Sequence, residues 1–168
     1  PRPPEPLKPP QQAGEQGLAS GRSALAEARK LLFAGRTARA FRLLSDLLER
    51  EPDHALARCY RALALRARGN LEQAMDEDVA AARTLAPDLA EPLLCRCLLD
   101  LAMGHLPDAL KDYEASSRLP AADIEGDVLR LAVYVIVAEM VLRGEEDAEG
   151  VTLRVENTPL TRAALALL

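Results

Sequence analysis

Tryptophan is absent from this 168-residue chain, and two Phe and three Tyr are its whole aromatic supply. A core must therefore be built from aliphatic side chains, chiefly Leu, Ala and Val. Cysteine is scarce: three residues, an odd number with no framework spacing, exclude a disulfide scaffold. Reduced thiols in a cytoplasmic setting are expected instead. No run of 18 apolar residues exists, so no membrane-spanning helix is expected. The first residues are Pro-rich and carry no charged start, apolar stretch and cleavage site, so no signal peptide is expected. Lysine is rare, 3 against 18 Arg, a bias expected of a GC-rich, bacterial genome. No initiating Met is present and Ala163 to Leu168 read as mid-helix, so the sequence is expected to belong to a longer protein.

What is present is helix-forming. Hydrophobic residues make up 49% and charged residues 28% of the chain, which excludes collagen-like sequence and wholesale disorder. At this length a single domain buries roughly 70% of its unfolded surface. Net charge is −5, unevenly spread. Residues 18–70 carry 11 basic and 5 acidic side chains, whereas residues 71–168 carry 8 basic and 19 acidic ones. The first half of the folded region is therefore +6 and the second −11.

Pro1 to Pro10 contain six prolines and favour extended chain, with Pro6-Leu7-Lys8-Pro9 matching a PxxP ligand. Residues 1–17 are read as a linker or disordered tail, and residues 18–168 as one helical domain. From Ala19 onward, apolar residues recur at helical spacing in Ala24-Leu25-Ala28-Leu31-Leu32 and in Ala40-Phe41-Leu44-Leu47-Leu48. Thr37 and Asp53 are expected to cap the second and third helices. Asn70 with Gln73 and Asp88 with Glu91 form capping-box patterns for the fourth and fifth. These helices repeat. Gly35, Gly69 and Gly104 stand 34 and 35 residues apart, each followed five positions later by Ala40, Ala74 or Ala109. Pro52, Pro87 and Pro120 close the units. A period near 34 with two helices per unit is a solenoid signature. After Pro120, Asp123 to Arg143 reads as a long buried helix, 144–149 as an acidic turn, 151–156 as extended, and 160–168 as a closing helix.

Gly69-Asn70-Leu71-Glu72-Gln73-Ala74 and Gly104-His105-Leu106-Pro107-Asp108-Ala109 look like the central turn of the tetratricopeptide repeat. Leu47 to Asp53 and Arg83 to Asp88 look like its unit boundaries. The chain resembles that family over about residues 21–120, three repeats. The resemblance implies an all-α fold, a short right-handed α-solenoid of helix pairs with C-terminal capping helices. It also implies that the first helix of each unit lines a concave face. By repeat phase that face includes Leu25, Arg29, Cys59, Tyr60, Leu63, Arg66, Leu94, Leu98 and Leu101. Some family members hold a terminal carboxylate with Lys, Asn and Arg. The matching places here carry Leu25, Arg29, Tyr60, Glu91 and Cys95, of which Arg29 alone is suitable, so that mode is not expected.

Residues for catalysis are few. His54 and His105 fall at turns without an oriented partner. Cys95 and Cys97 sit two apart on a helix and point about 200° away from each other, poor geometry for a shared metal. With Cys59 and His54 they match no zinc pattern. No phosphate loop, nucleophile elbow or HExxH occurs. No enzyme activity, cofactor or metal is expected. The arginines are the stronger signal: Arg22, Arg29, Arg36, Arg39, Arg42, Arg58, Arg61, Arg66 and Arg68 crowd the first three helices. Few aromatics interleave them, so nucleic acid is not the expected partner. The expectation is a protein–protein interaction module, an adaptor, scaffold or chaperone-like unit. It takes a peptide or partner segment with apolar anchors and acidic character in the concave groove. Two alternatives stay open: an accessory domain of a multidomain enzyme, and a self-associating assembly element.

Overall fold

The computed structural model describes residues 10–142, with side chains over residues 21–138. Expectations for residues 1–9, the acidic turn at 144–149, the extended 151–156 segment and the closing helix at 160–168 lie outside the described residues. Seven helices follow in order: α1 Pro10–Phe33, α2 Thr37–Arg50, α3 Ala55–Arg66, α4 residues 71–85, α5 Glu91–Met103, α6 Leu106–Ser116 and α7 Ile124–Leu142. No strand occurs among the described residues.

The repeat punctuation does what its chemistry predicts. Gly35, Gly69 and Gly104 have φ of 71°, 81° and 80°, a left-handed conformation that side chains with a Cβ resist. Each therefore ends a first helix and reverses the chain into the second. Ala40, Ala74 and Ala109 are wholly buried, so the paired helices approach at residues that have only a methyl group. The result is three antiparallel pairs, α1–α2, α3–α4 and α5–α6, with α7 packed on the last. The first helices touch in succession, α1 on α3, α3 on α5 and α5 on α7, whereas α2, α4 and α6 do not touch one another. The first helices thus form the inner, closer-set layer of a curved stack. Two core clusters fill it. Leu25, Leu44, Leu47, Leu48 and Tyr60 make one, and Leu65, Val79, Leu94, Leu99, Tyr113 and Val133 belong to the other. Half-buried Leu63 packs against both.

Five local features differ from the sequence reading. α1 begins at Pro10, inside the stretch read as tail. Proline costs little at a first helical position, and Gln, Ala and Glu that follow are good helix formers. The third helix is capped by His54, whose Nδ1 accepts from the Ala57 N–H at 3.4 Å, rather than by Asp53. Arg36 occupies the cap of α2 in place of Thr37, and the caps of α4 and α5 are Asn70 and Ala90, none with a side-chain cap bond. Within α4 the segment Ala74–Val79 is a π turn. Its extra residue per turn brings both Asp78 and Val79 to the buried side. Finally α7 is a helix, as read, but buried along one stripe only. Leu129, Val133 and Val137 face inward at i, i+4 and i+8, and Ile124 and Val128 face solvent.

Candidate functional site

The nine residues expected on the concave face divide by burial. Cys59, Tyr60 and Leu94 are at most 1% exposed, and Leu25, Leu98 and Leu101 are also buried. These six are packing residues between neighbouring helices, not an open apolar groove. Leu63 and Arg66 keep partial exposure. Arg66 Nε donates to the Leu98 carbonyl at 3.1 Å, tying α3 to α5. The physical reason is the tightness of the inner layer. One first helix is flanked by two others and by its own partner, so residues at the inner edge of the stripe are covered by the next unit.

Arg29 is the exception in chemistry. It is buried, yet its guanidinium lies over the Tyr60 ring at 4.5 Å. Its Nη1 donates to Asp123 Oδ2 at 2.7 Å and stands 3.7 Å from Glu125 Oε2. Asp123 is 94 positions further along, in the connection between α6 and α7. That connection lies across the inner layer. Ala90 N–H donates to the Pro120 carbonyl at 3.0 Å, and Ala122 N–H donates to Glu91 Oε1 at 2.7 Å. Glu91 is fully buried at the start of α5, so the Asp88–Glu91 capping box is replaced by a long-range contact. Burial works to raise the Asp123 carboxyl, but the Arg29 hydrogen bond and then the Gly126 N–H hold it below the usual carboxylate range. Burial pushes the Tyr60 phenol far above its ordinary value; Arg29 opposes this, and Cys95, Asp123 and Glu91 add to it. Among the described residues, Arg29 Nε and Nη2, Tyr60 OH and Glu91 Oε2 are buried without a hydrogen-bond partner.

Three of the other arginines are consumed by the fold. Arg61 grips buried Asp78 with two bonds of 2.8 and 2.7 Å, and Arg58 approaches the same carboxylate at 3.7 Å. One unit later, Arg96 grips Asp112 in the same two-pronged manner. Arg61 and Arg96 are 35 apart and Asp78 and Asp112 are 34 apart, so this is one first-helix to second-helix clasp used twice. Sequence reasoning missed it, although an Arg and an Asp recurring at the repeat period are the signal. Arg36, Arg39, Arg42 and Arg68 are different. All four are exposed, and none has an acidic partner among the described residues. Arg68, in the α3–α4 turn, lies over the Phe41 ring of α2 at 4.7 Å, linking the first two helix pairs at one edge of the stack. Phe33, at the end of α1, is 58% exposed at that edge.

The cysteines are buried thiols. Cys95 Sγ donates to the Cys59 carbonyl at 3.5 Å, whereas Cys97 faces the Asp112 side of α5. Burial pushes Cys97 up to about 12. Among the described residues no group of three His, Cys, Asp or Glu is placed to hold a metal ion. No described helix is long and apolar enough to cross a membrane.

Antiparallel helix pairs at a 34- to 35-residue period, with first helices inside and second helices outside, define a tetratricopeptide-like α-solenoid. No protein-family model and no curated protein sequence matches the chain. Among solved structures it is similar to the Sgt2 TPR domain from Aspergillus fumigatus, at 18% identity and a TM-score of 0.53. The match covers 86% of this chain and 93% of that one. At that identity the likeness establishes the fold.

Proposed function

We propose that this chain is a non-catalytic protein–protein interaction module, an adaptor or scaffold. Its partner carries acidic character and apolar anchors. The observation that carries this reading is a set of four exposed arginines with no acidic partner among the described residues, Arg36 and Arg68 at the α1–α2 and α3–α4 turns and Arg39 and Arg42 on the first turns of α2, with Phe33 exposed at the end of α1. Three other arginines are paired instead: Arg61 with Asp78, Arg96 with Asp112 and Arg118 with Glu114. Unpaired like charges repel one another, so holding them together weakly opposes folding and favours an incoming anion. Charge sets partner choice and association rate, while an apolar anchor such as Phe33, with half-buried Leu63 and Arg66 on the inner face, supplies affinity.

The test is capture of partners by the whole chain followed by cross-linking mass spectrometry. Cross-links from α1, α2 and α3 to acidic segments of the partner are expected. Cross-links confined to α6 and α7 would contradict the reading.

A further inference from the structure

The α6–α7 connection covers the inner layer with few anchors. Leu119, at its start, packs on the core and its carbonyl accepts from Arg130 Nη2 at 2.7 Å. Beyond Leu119 the hold is polar: Pro120 to Ala90, Ala122 to Glu91 and Asp123 to Arg29. Apolar attachment is thin, since Ala122 is exposed and Ile124, the one large apolar side chain there, is 62% exposed. Beneath it, Arg29, Tyr60 and Glu91 are all more than nine-tenths buried, yet each keeps a polar atom without a partner among the described residues. The segment thus presents a carbonyl, an N–H and a carboxylate to the inner layer and leaves further donors and an acceptor unmatched. A second chain offering the same three groups could match them equally well. Close approach here also depends on Gly126. A Cβ at that position would collide with Glu91 Oε1 and come within 3.0 Å of the Ala121 Cβ.

We propose that residues 119–125 form a displaceable strap, an internal peptide ligand that closes the inner face and yields it to an acidic segment of a partner protein. The proposal rests on the interaction reading above and names how that reading is regulated. The strap holds its place because, being tethered, it acts at a local concentration on the order of millimolar. A partner must exceed that, or a perturbation must loosen the strap first.

The experiment uses the full chain, wild type, Asp123→Asn and Gly126→Ala, with amide exchange read at Ala122. The Asn variant removes the nearer of the two charges facing Arg29 and leaves Glu125; the Ala variant forces Glu91 and Ala121 apart from α7 without touching Arg29. Both are expected to speed exchange at Ala122 by about tenfold or more, as for a locally opened segment. The probe is a synthetic peptide of residues 119–125, blocked at both ends, titrated while the Arg29 Nε–H resonance is followed by NMR. The opened variants should respond at peptide concentrations where the wild type does not. A peptide with Asn in place of its Asp should give no response. Unchanged exchange in both variants, or equal peptide response in opened and wild-type chains, overturns the strap. Failure of the interaction reading would show separately, as absence of cross-links at α1 to α3, and would leave the exchange result intact.

Discussion

Tyr60→Phe removes one oxygen from a residue that is 1% exposed. The Tyr60 hydroxyl has no hydrogen-bond partner among the described residues, so its desolvation is uncompensated. Mutational data put that cost at about 1–3 kcal/mol. The ring itself is kept, and with it the packing against the first core cluster and the Arg29 guanidinium at 4.5 Å. Deleting the hydroxyl should therefore stabilise the fold by roughly 1 kcal/mol, after allowing for the void left by one oxygen. For a domain of this size that raises the thermal midpoint by about 2–4 °C. Urea denaturation should show the same gain with an unchanged slope, since no additional surface is exposed. Tyr60→Ala, by contrast, removes the whole buried ring and should cost about 3–5 kcal/mol. A loss of 1 kcal/mol or more in the Phe variant would refute the reasoning. It would mean that the hydroxyl is engaged, with Glu91 as the obvious acceptor.

Three further outcomes are expected. Ala74→Leu or Ala109→Leu should each cost about 1–3 kcal/mol by overpacking a helix pair, measured by urea denaturation; two neutral variants would contradict the close approach at these methyls. Cys97 should resist alkylation at pH 8 in the folded chain and react at once in denaturant, because burial holds its thiol near 12; rapid labelling of native protein would contradict its placement. Asp123 is held below its unfolded value, so its contribution is present above pH of about 4 and is lost as pH falls through the depressed value. Asp100 shifts the other way, raised by burial and by Asp112, so its protonation stabilises the fold over an overlapping range. Protection at Ala122, taken relative to the intrinsic exchange rate at each pH, separates the two: it should fall only once pH drops below about 4.

What was legible in the sequence was the part written at short range. Gly35, Gly69 and Gly104 announce the turns because few other residues accept their backbone angle, and Ala40, Ala74 and Ala109 announce the close packing. The period of these six positions is enough to place three helix pairs. What was not legible depends on distance and on phase. Arg29 meets Asp123 across 94 positions, and no local pattern encodes that. Glu91 reads as a capping residue because its neighbours are Asp88 and Pro87, yet the chain returns to it from Ala122. Tyr60 and Leu63 share one helix, and about 100° per residue separates a core position from a reachable one. A shift of phase by one residue is therefore enough to move Cys59 and Tyr60 from groove to core. The π turn at Ala74–Val79 adds the same kind of shift, and it is what turns Asp78 inward to meet Arg61.

The central claim is that the arginine edge recruits an acidic partner. It is tested most directly by the association rate of a captured partner with the wild-type chain and with an Arg36→Glu, Arg39→Glu, Arg42→Glu variant, at low and at physiological salt. All three side chains are exposed, so the fold should be unaffected. The account predicts association slowed by about tenfold or more at low salt, a difference that shrinks as salt rises, and a much smaller change in dissociation. Equal association rates for the two chains at low salt would contradict it.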